Sequence, residues 1–203
     1  MIIVYVTLCA VAVILLLNLA YCSWRLGIGP MPSGSRARVE MIRLCLLRLD
    51  RLAQVDTPSV YHIGSGWGGL SFALRTALEG HPRLCERFKS ISIISSERAW
   101  LPWICSLFVD RIFSVYRDRT ALIVRTELLN VDGISMIEQL RRGDTILCYL
   151  CPEQMARIAE TLNGQAKRGV ILISLSFALP GRLPVESYQV EHFYRDPIYV
   201  YEL

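Results

Sequence analysis

The chain has 203 residues, enough for one domain of ordinary size plus an appendage, and too few for two full domains. Its hydrophobic fraction of 53% and mean hydropathy of +0.37 are high for a soluble chain, and the excess is gathered at the N-terminus. The net charge is +4, but the arginines are dispersed and interleaved with acids (Arg48, Asp50, Arg51; Asp110, Arg111; Arg117, Asp118, Arg119), the pattern of solvated helix faces, which argues against a nucleic-acid stripe.

From Ile2 to Cys22 the sequence carries no charge, and Thr7 and Asn18 are its notable polar side chains. A helix of that length covers the roughly 30 Å hydrocarbon core and satisfies its own backbone. Trp24 follows where an interfacial aromatic belongs. A cleaved signal peptide is the rival reading, but no basic residue precedes the apolar run, and Leu19-Ala20-Tyr21-Cys22 is a poor cleavage or lipidation site. The sequence therefore predicts a transmembrane anchor over 1–24. Arg25, Arg36, Arg38 and Arg43 come after it, which places the rest of the chain on the cytoplasmic side. Seven scattered cysteines, an odd number, suit a compartment that keeps thiols reduced.

The Gly/Pro/Ser stretch Gly27 to Ser35 predicts a linker over 25–37, and the domain then occupies 38–203. Val39, Ile42, Leu46, Leu49 and Leu52 form one apolar helical stripe that ends before Asp56-Thr57-Pro58. Beyond it, short apolar runs alternate with helical stretches: SVYHI, LSFALRTALEG, SISIIS, RAWLPWICSLFVDRIFSV, TALIVRT, DTILCYL, QMARIAETLNGQAKR and GVILISLSF. This alternation predicts an α/β domain with a mostly parallel, doubly wound sheet. The tyrosine-rich end, straddling Arg195-Asp196-Pro197, predicts an antiparallel edge hairpin.

The segment His62-Ile63-Gly64-Ser65-Gly66-Trp67-Gly68-Gly69 follows the first strand and opens a helix. Glycines there let the backbone turn tightly and approach a nucleoside-type ligand, whose polar groups meet free N–H groups at the helix N-terminus. The second strand runs straight into Ser95-Ser96-Glu97, which puts a carboxylate where it can accept both hydroxyls of a ribose. Either feature alone is commonplace, but the two in this order point to one cofactor site.

The motif and its order resemble the class I S-adenosylmethionine-dependent methyltransferases, whose first motif is an acidic residue followed by x-Gly-x-Gly-x-Gly. The resemblance implies a Rossmann-like methyltransferase fold. It implies that Gly64, Ser65, Gly66, Trp67 and Gly68 wrap the methionine part and that Glu97 holds the ribose. His62 stands at the position of the family's usual acid, and Trp67 at that of a common Asp. Glu127, taken as the end of the third strand, corresponds to an acid near the adenine. The N-terminal helix, Pro32-Ser33, CYLCPEQM after strand four and SFALPG after strand five look like a small membrane-anchored methyltransferase family. Its mitochondrial members methylate lysines of the adenine nucleotide translocase and of the ATP synthase c subunit.

Methyl transfer is an in-line displacement, so orientation is the protein's main contribution. Tyr149 and Glu153 flank the expected transfer point and are the candidate catalytic pair, placed to hold an acceptor amine. The short tether favours a membrane protein or lipid as acceptor, with no nucleic acid and no metal. Cys148 and Cys151 formally make CxxC, but no second CxxC or His pair accompanies them. Two other classes stay open: a nicotinamide-dependent oxidoreductase with a similar glycine turn, and a degenerate membrane-bound scaffold, which His62 keeps in play.

Overall fold

The computed structural model describes residues 1–26, 33–52, 55, 57–115, 122–163, 169–190 and 196–203. It divides into two compact units, Met1–Pro32 and Ser33–Leu203. The described part of the first is one helix, α1 (Ile2–Leu26), whose described side chains are exposed. Over the described residues no helix is long and apolar enough to cross a membrane. Several α1 side chains, including those of Val11, Leu15, Asn18, Leu19 and Trp24, lie outside that description. As a sequence the helix is 25 residues with Arg25 as its one charge. Most of the Gly27 to Ser35 linker, Pro32 included, also lies outside the described residues.

The second unit opens with α2 (Ser35–Arg51). Strand β1 (Ser59–Ile63) leads through the glycine turn to α3 (Gly69–Glu79) and a short α4 (Pro82–Arg87). Then come β2 (Ser90–Ser96), α5 (Trp100–Val115), β3 (Ile123–Leu129), a 3-10 turn (Gly133–Gln139) and β4 (Thr145–Cys148). The chain finishes with α6 (Pro152–Asn163), β5 (Ile171–Leu175), β6 (Glu186–Gln189) and β7 (Pro197–Glu202). The sheet order is β3-β2-β1-β4-β5-β7-β6, with β1 to β5 parallel and β7 antiparallel to both neighbours.

Successive side chains of a strand point to opposite faces, and both faces of this sheet are covered. Val60, Ile91, Ile93, Leu147, Ile171 and Ile173 join Met41, Leu44, Cys45, Leu49, Leu74 and Leu78 on one side. Tyr61, Ile63, Ile146, Cys148 and Leu172 join Ile137, Met155, Ile158 and Leu162 on the other. The central strands therefore read as near-continuous apolar runs, as parallel strands buried on two faces must.

Several elements differ from the sequence expectation. The buried face of α2 is Ala37, Met41, Ile42, Leu44, Cys45 and Leu49, whereas Val39 is exposed. The helix packs on both α3 and the sheet, and this needs a broader face than the single stripe read from periodicity. Strand β3 extends three residues further than TALIVRT, to Leu129. The C-terminal antiparallel pair is β6 with β7, starting upstream at Glu186; β7 inserts between β5 and β6 and is not the edge. Of the expected first arm, VEHFY, all but Val190 lies outside the described residues.

Two arginines tie elements together, one of them, Arg48, expected on a solvated face. Arg48 reaches Glu186 at 2.6 Å and Glu202 at 3.6 Å, joining α2 to the β6-β7 edge. Arg75 is buried and bonds Asp110 at 2.7 Å and Glu79 at 3.2 Å, joining α3 to α5. Because Leu49 is fully buried where α2 meets the sheet, Leu49→Ala should destabilise the domain by about 2–5 kcal/mol in urea unfolding. Val39→Ala should change stability by less than about 0.5 kcal/mol.

Candidate active site

The glycine turn stands at the C-terminal end of β1, between β2 and β4. Gly64, Gly66 and Gly68 all have positive φ (73°, 54° and 79°), a region that residues with a Cβ enter at a cost. Gly64 N–H and Ser65 N–H both donate to Ser96 O, at 3.0 and 2.9 Å, which pins the turn to the end of β2. Gly68 N–H donates to Ser65 O at 2.9 Å and begins α3. Leu150 closes the floor: a Cβ on Gly64 would lie 2.5 Å from its Cδ2. Gly66 is the reverse case, with nothing within 4 Å of where its Cβ would be. The turn is thus tight underneath and open at its tip.

Glu97 directly follows β2 and is buried, and its carboxylate clasps the turn. Oε2 accepts from Gly66 N–H at 2.7 Å and Oε1 from Ala99 N–H at 2.8 Å. Each oxygen keeps a second lone pair, so the group can still accept two hydroxyls of a vicinal diol. Its backbone is fixed as well, because Glu97 N–H donates to Leu129 O and Asn130 Nδ2 donates to Glu97 O.

His62 points toward α3. Its Nδ1 lies 2.6 Å from Ser71 Oγ, which in turn lies 2.8 Å from Ser95 Oγ, and all three residues are buried. Burial pushes the imidazole down to about 4, so the ring is neutral at physiological pH. His62 therefore supplies a fixed polar link among β1, β2 and α3 and brings no negative charge to the turn. Ser65 is buried in the turn, whereas Trp67 stands exposed at its tip.

Tyr149 is half-buried immediately after β4, and Glu153 is exposed in the first turn of α6, so both lie at the end of the sheet that carries the glycine turn. Glu127 does not sit at a strand end: it is exposed and pairs in register with Ile94, two residues before β3 finishes. Because β3 is longer than expected, the residues beyond its carboxyl end are Asn130 and Asp132. Asp132 caps the 3-10 turn through Ile134 N–H and meets Arg157 at 3.0 Å and Arg98 at 3.6 Å. Gly133 lets this loop close on the site, since a Cβ there would lie 2.2 Å from Ser96 Oγ. Asp132-Gly133 is a turn signature legible in sequence.

Sequence reading also passed over Arg38. From α2 its guanidinium lies against the head of α3, where a Cβ on Gly69 would come within 2.8 Å of Nη1, and its Nε is buried without a hydrogen-bond partner. A cation there, beside free N–H groups, suits a carboxylate. Cys148 and Cys151 are buried free thiols, and burial pushes Cys148 up to about 12, which keeps it protonated. Among the described residues, no three His, Cys, Asp or Glu side chains gather as a metal ion would require.

The His62 shift has a measurable consequence. An unfolded imidazole takes its proton near pH 6.5 and the buried one only near pH 4. Folding stability from this residue is thus complete above pH 6.5 and lost as pH falls toward 4, by about 3 kcal/mol. Over that window, denaturant unfolding of His62→Gln should show a shallower loss than the parent chain, and equal slopes would refute a neutral buried imidazole.

No protein-family model matches the sequence, and no curated protein does. Solved structures do match in fold. An RNA methyltransferase from Salinibacter ruber in complex with S-adenosyl-L-homocysteine is 15% identical, with a TM-score of 0.56 over 85% of this chain and 93% of its own. A methyltransferase from Geobacter sulfurreducens is 12% identical, with a TM-score of 0.55 over 93% and 89%. A class I S-adenosylmethionine-dependent methyltransferase described as putative, from Listeria monocytogenes, is 13% identical, with a TM-score of 0.51 over 83% of this chain and 59% of its own. The domain has the Rossmann-like fold of class I methyltransferases.

Proposed function

We propose that this chain is an S-adenosylmethionine-dependent methyltransferase held at a membrane by α1, and that it modifies a membrane protein or lipid, with a lysine amine as the leading acceptor. The clasp of Glu97 on Gly66 carries the reading: a diol-accepting carboxylate tied to a turn that is open only at its tip. The residues fit the cofactor. Glu97 takes the ribose hydroxyls, the open face at Gly66 leaves room for the thioether chain, and Arg38 takes the terminal carboxylate. When bound, the cofactor supplies an activated methyl group on a sulfonium. The chain's own residues orient that methyl, and Tyr149 and Glu153 hold the acceptor amine beyond the end of β4. His62 is compatible with this role, since its bonds to Ser71 and Ser95 keep the turn in place without a charge.

A nicotinamide oxidoreductase is less well supported. Its sheet is ordinarily parallel in the order 3-2-1-4-5-6, whereas β7 here runs antiparallel between β5 and β6. The anchor and cytoplasmic orientation rest on the uncharged run Ile2 to Cys22 and the arginines after it. The resemblance to the membrane-anchored lysine methyltransferases rests on sequence segments alone.

Calorimetry with S-adenosylmethionine and with NADH tests the assignment. Binding of the methyl donor alone is the expected result, and binding of neither would leave the scaffold. Glu97→Gln should weaken donor binding about tenfold or more. Arg38→Ala should weaken S-adenosylmethionine while leaving adenosine, which lacks the carboxylate, unaffected. Incubation with radiolabelled donor and host membranes should label a membrane band; labelling confined to soluble metabolites would overturn the acceptor class.

A further inference from the structure

Helix α5 turns its apolar side to water. In a helix packed on a soluble domain the outward face is polar, yet Pro102 and Ser106 are the buried positions here, and Trp100, Ile104, Leu107, Phe108 and Ile112 form the opposite stripe. Trp100 is 51% exposed and Phe108 71%. An exposed stripe of this kind marks an interaction site. The face is held firmly. Arg75 bonds Asp110 at 2.7 Å, Trp103 Nε1 donates to Leu128 O at 3.1 Å, and Phe72 stacks with Phe113 at 6.0 Å.

We propose that this stripe docks α5 on the surface of the bilayer that α1 enters; the proposal rests on the membrane reading given above. Two observations favour a lipid surface over another occupant. The first is tether length: α1 ends at Leu26 and α2 begins at Ser35. The intervening residues 27–34 span at most roughly 30 Å when fully extended, so the start of an anchored domain stays within about that distance of the bilayer. The second is composition. A tryptophan at the head of the stripe, a phenylalanine at its middle, and the exposed Arg111 on the same face and Arg98 just before it suit an anionic interface. Nucleic acid would call for a basic face, and this one is apolar.

Docking also bears on the reaction. α5 begins three residues after Glu97, and Ser106 lies beside Gly68, where a Cβ would come within 3.1 Å of it. A bilayer on the outer side of α5 therefore sits next to the cofactor turn, which restricts acceptors to groups at headgroup depth.

Photocrosslinking of the full chain in phosphatidylcholine/phosphatidylglycerol vesicles tests this, with p-benzoylphenylalanine replacing Phe108, Leu16 of α1 or the exposed Leu183 in three separate variants. Lipid adducts at 16 and 108, about tenfold above those at 183, are expected. Lipid adducts at 16 with none at 108, or with 108 joined to a second copy or another protein, would overturn the docking face and leave the anchor standing. Adducts at 108 without any at 16 would support the docking face and overturn the anchor, and none at either would overturn both.

Discussion

One carboxylate organises the functional end of this domain. Glu97 accepts from the N–H of Gly66 on the glycine turn and from the N–H of Ala99 at the approach to α5. A charge-assisted hydrogen bond of this kind is about twice as strong as a neutral one. The bond to Ala99 is buried and the one to Gly66 partly so, and losing the first leaves a buried N–H unpaired. The turn, the end of β2 and the start of α5 are therefore set by one side chain. Ser96 O, holding Gly64 and Ser65, and Asn130, holding Glu97 O, support that arrangement from the backbone.

The glycine turn keeps its place because the rest of the sheet is buried on both faces. Each of β1, β2 and β4 contributes side chains to both apolar layers, which keeps the strand ends in register around Gly64 to Gly68. His62 places a polar ring in the buried run of β1. Burial leaves it neutral, and its bond to Ser71 turns a potential liability into a link between strand and helix. A carboxylate at this position would need desolvation offset by further donors, which the Ser71 and Ser95 hydroxyls only partly supply.

The arginines show why composition alone misleads. Arg48 comes from a stretch that reads as a solvated helix face and Arg38 from the basic residues after the anchor, yet Arg48, like Arg75, joins secondary elements and Arg38 lies against the head of α3. The reverse holds on α5, whose apolar residues Trp100, Ile104, Leu107 and Phe108 lie outside. Its hydrophobicity is legible in sequence, but which way that side faces depends on what already covers the sheet. On that face α2, α3 and α4 have taken the place.

Much of the site was written in local chemistry. Glycines after a first strand and an acid after the second predicted the turn and Glu97 because both requirements are local: positive φ at Gly64, Gly66 and Gly68, and a side chain one residue past a strand. Alternating apolar runs likewise determined the two-faced parallel sheet. Glu127 fell short because strand length is decided by pairing with β2, which carries β3 on to Leu129. The place of β7 inside the sheet, the partners of His62 and the approach of Arg38 to Gly69 all join residues far apart in sequence or on separate elements. Only tertiary packing decided them, because no short stretch of sequence records which distant surface will come to cover it.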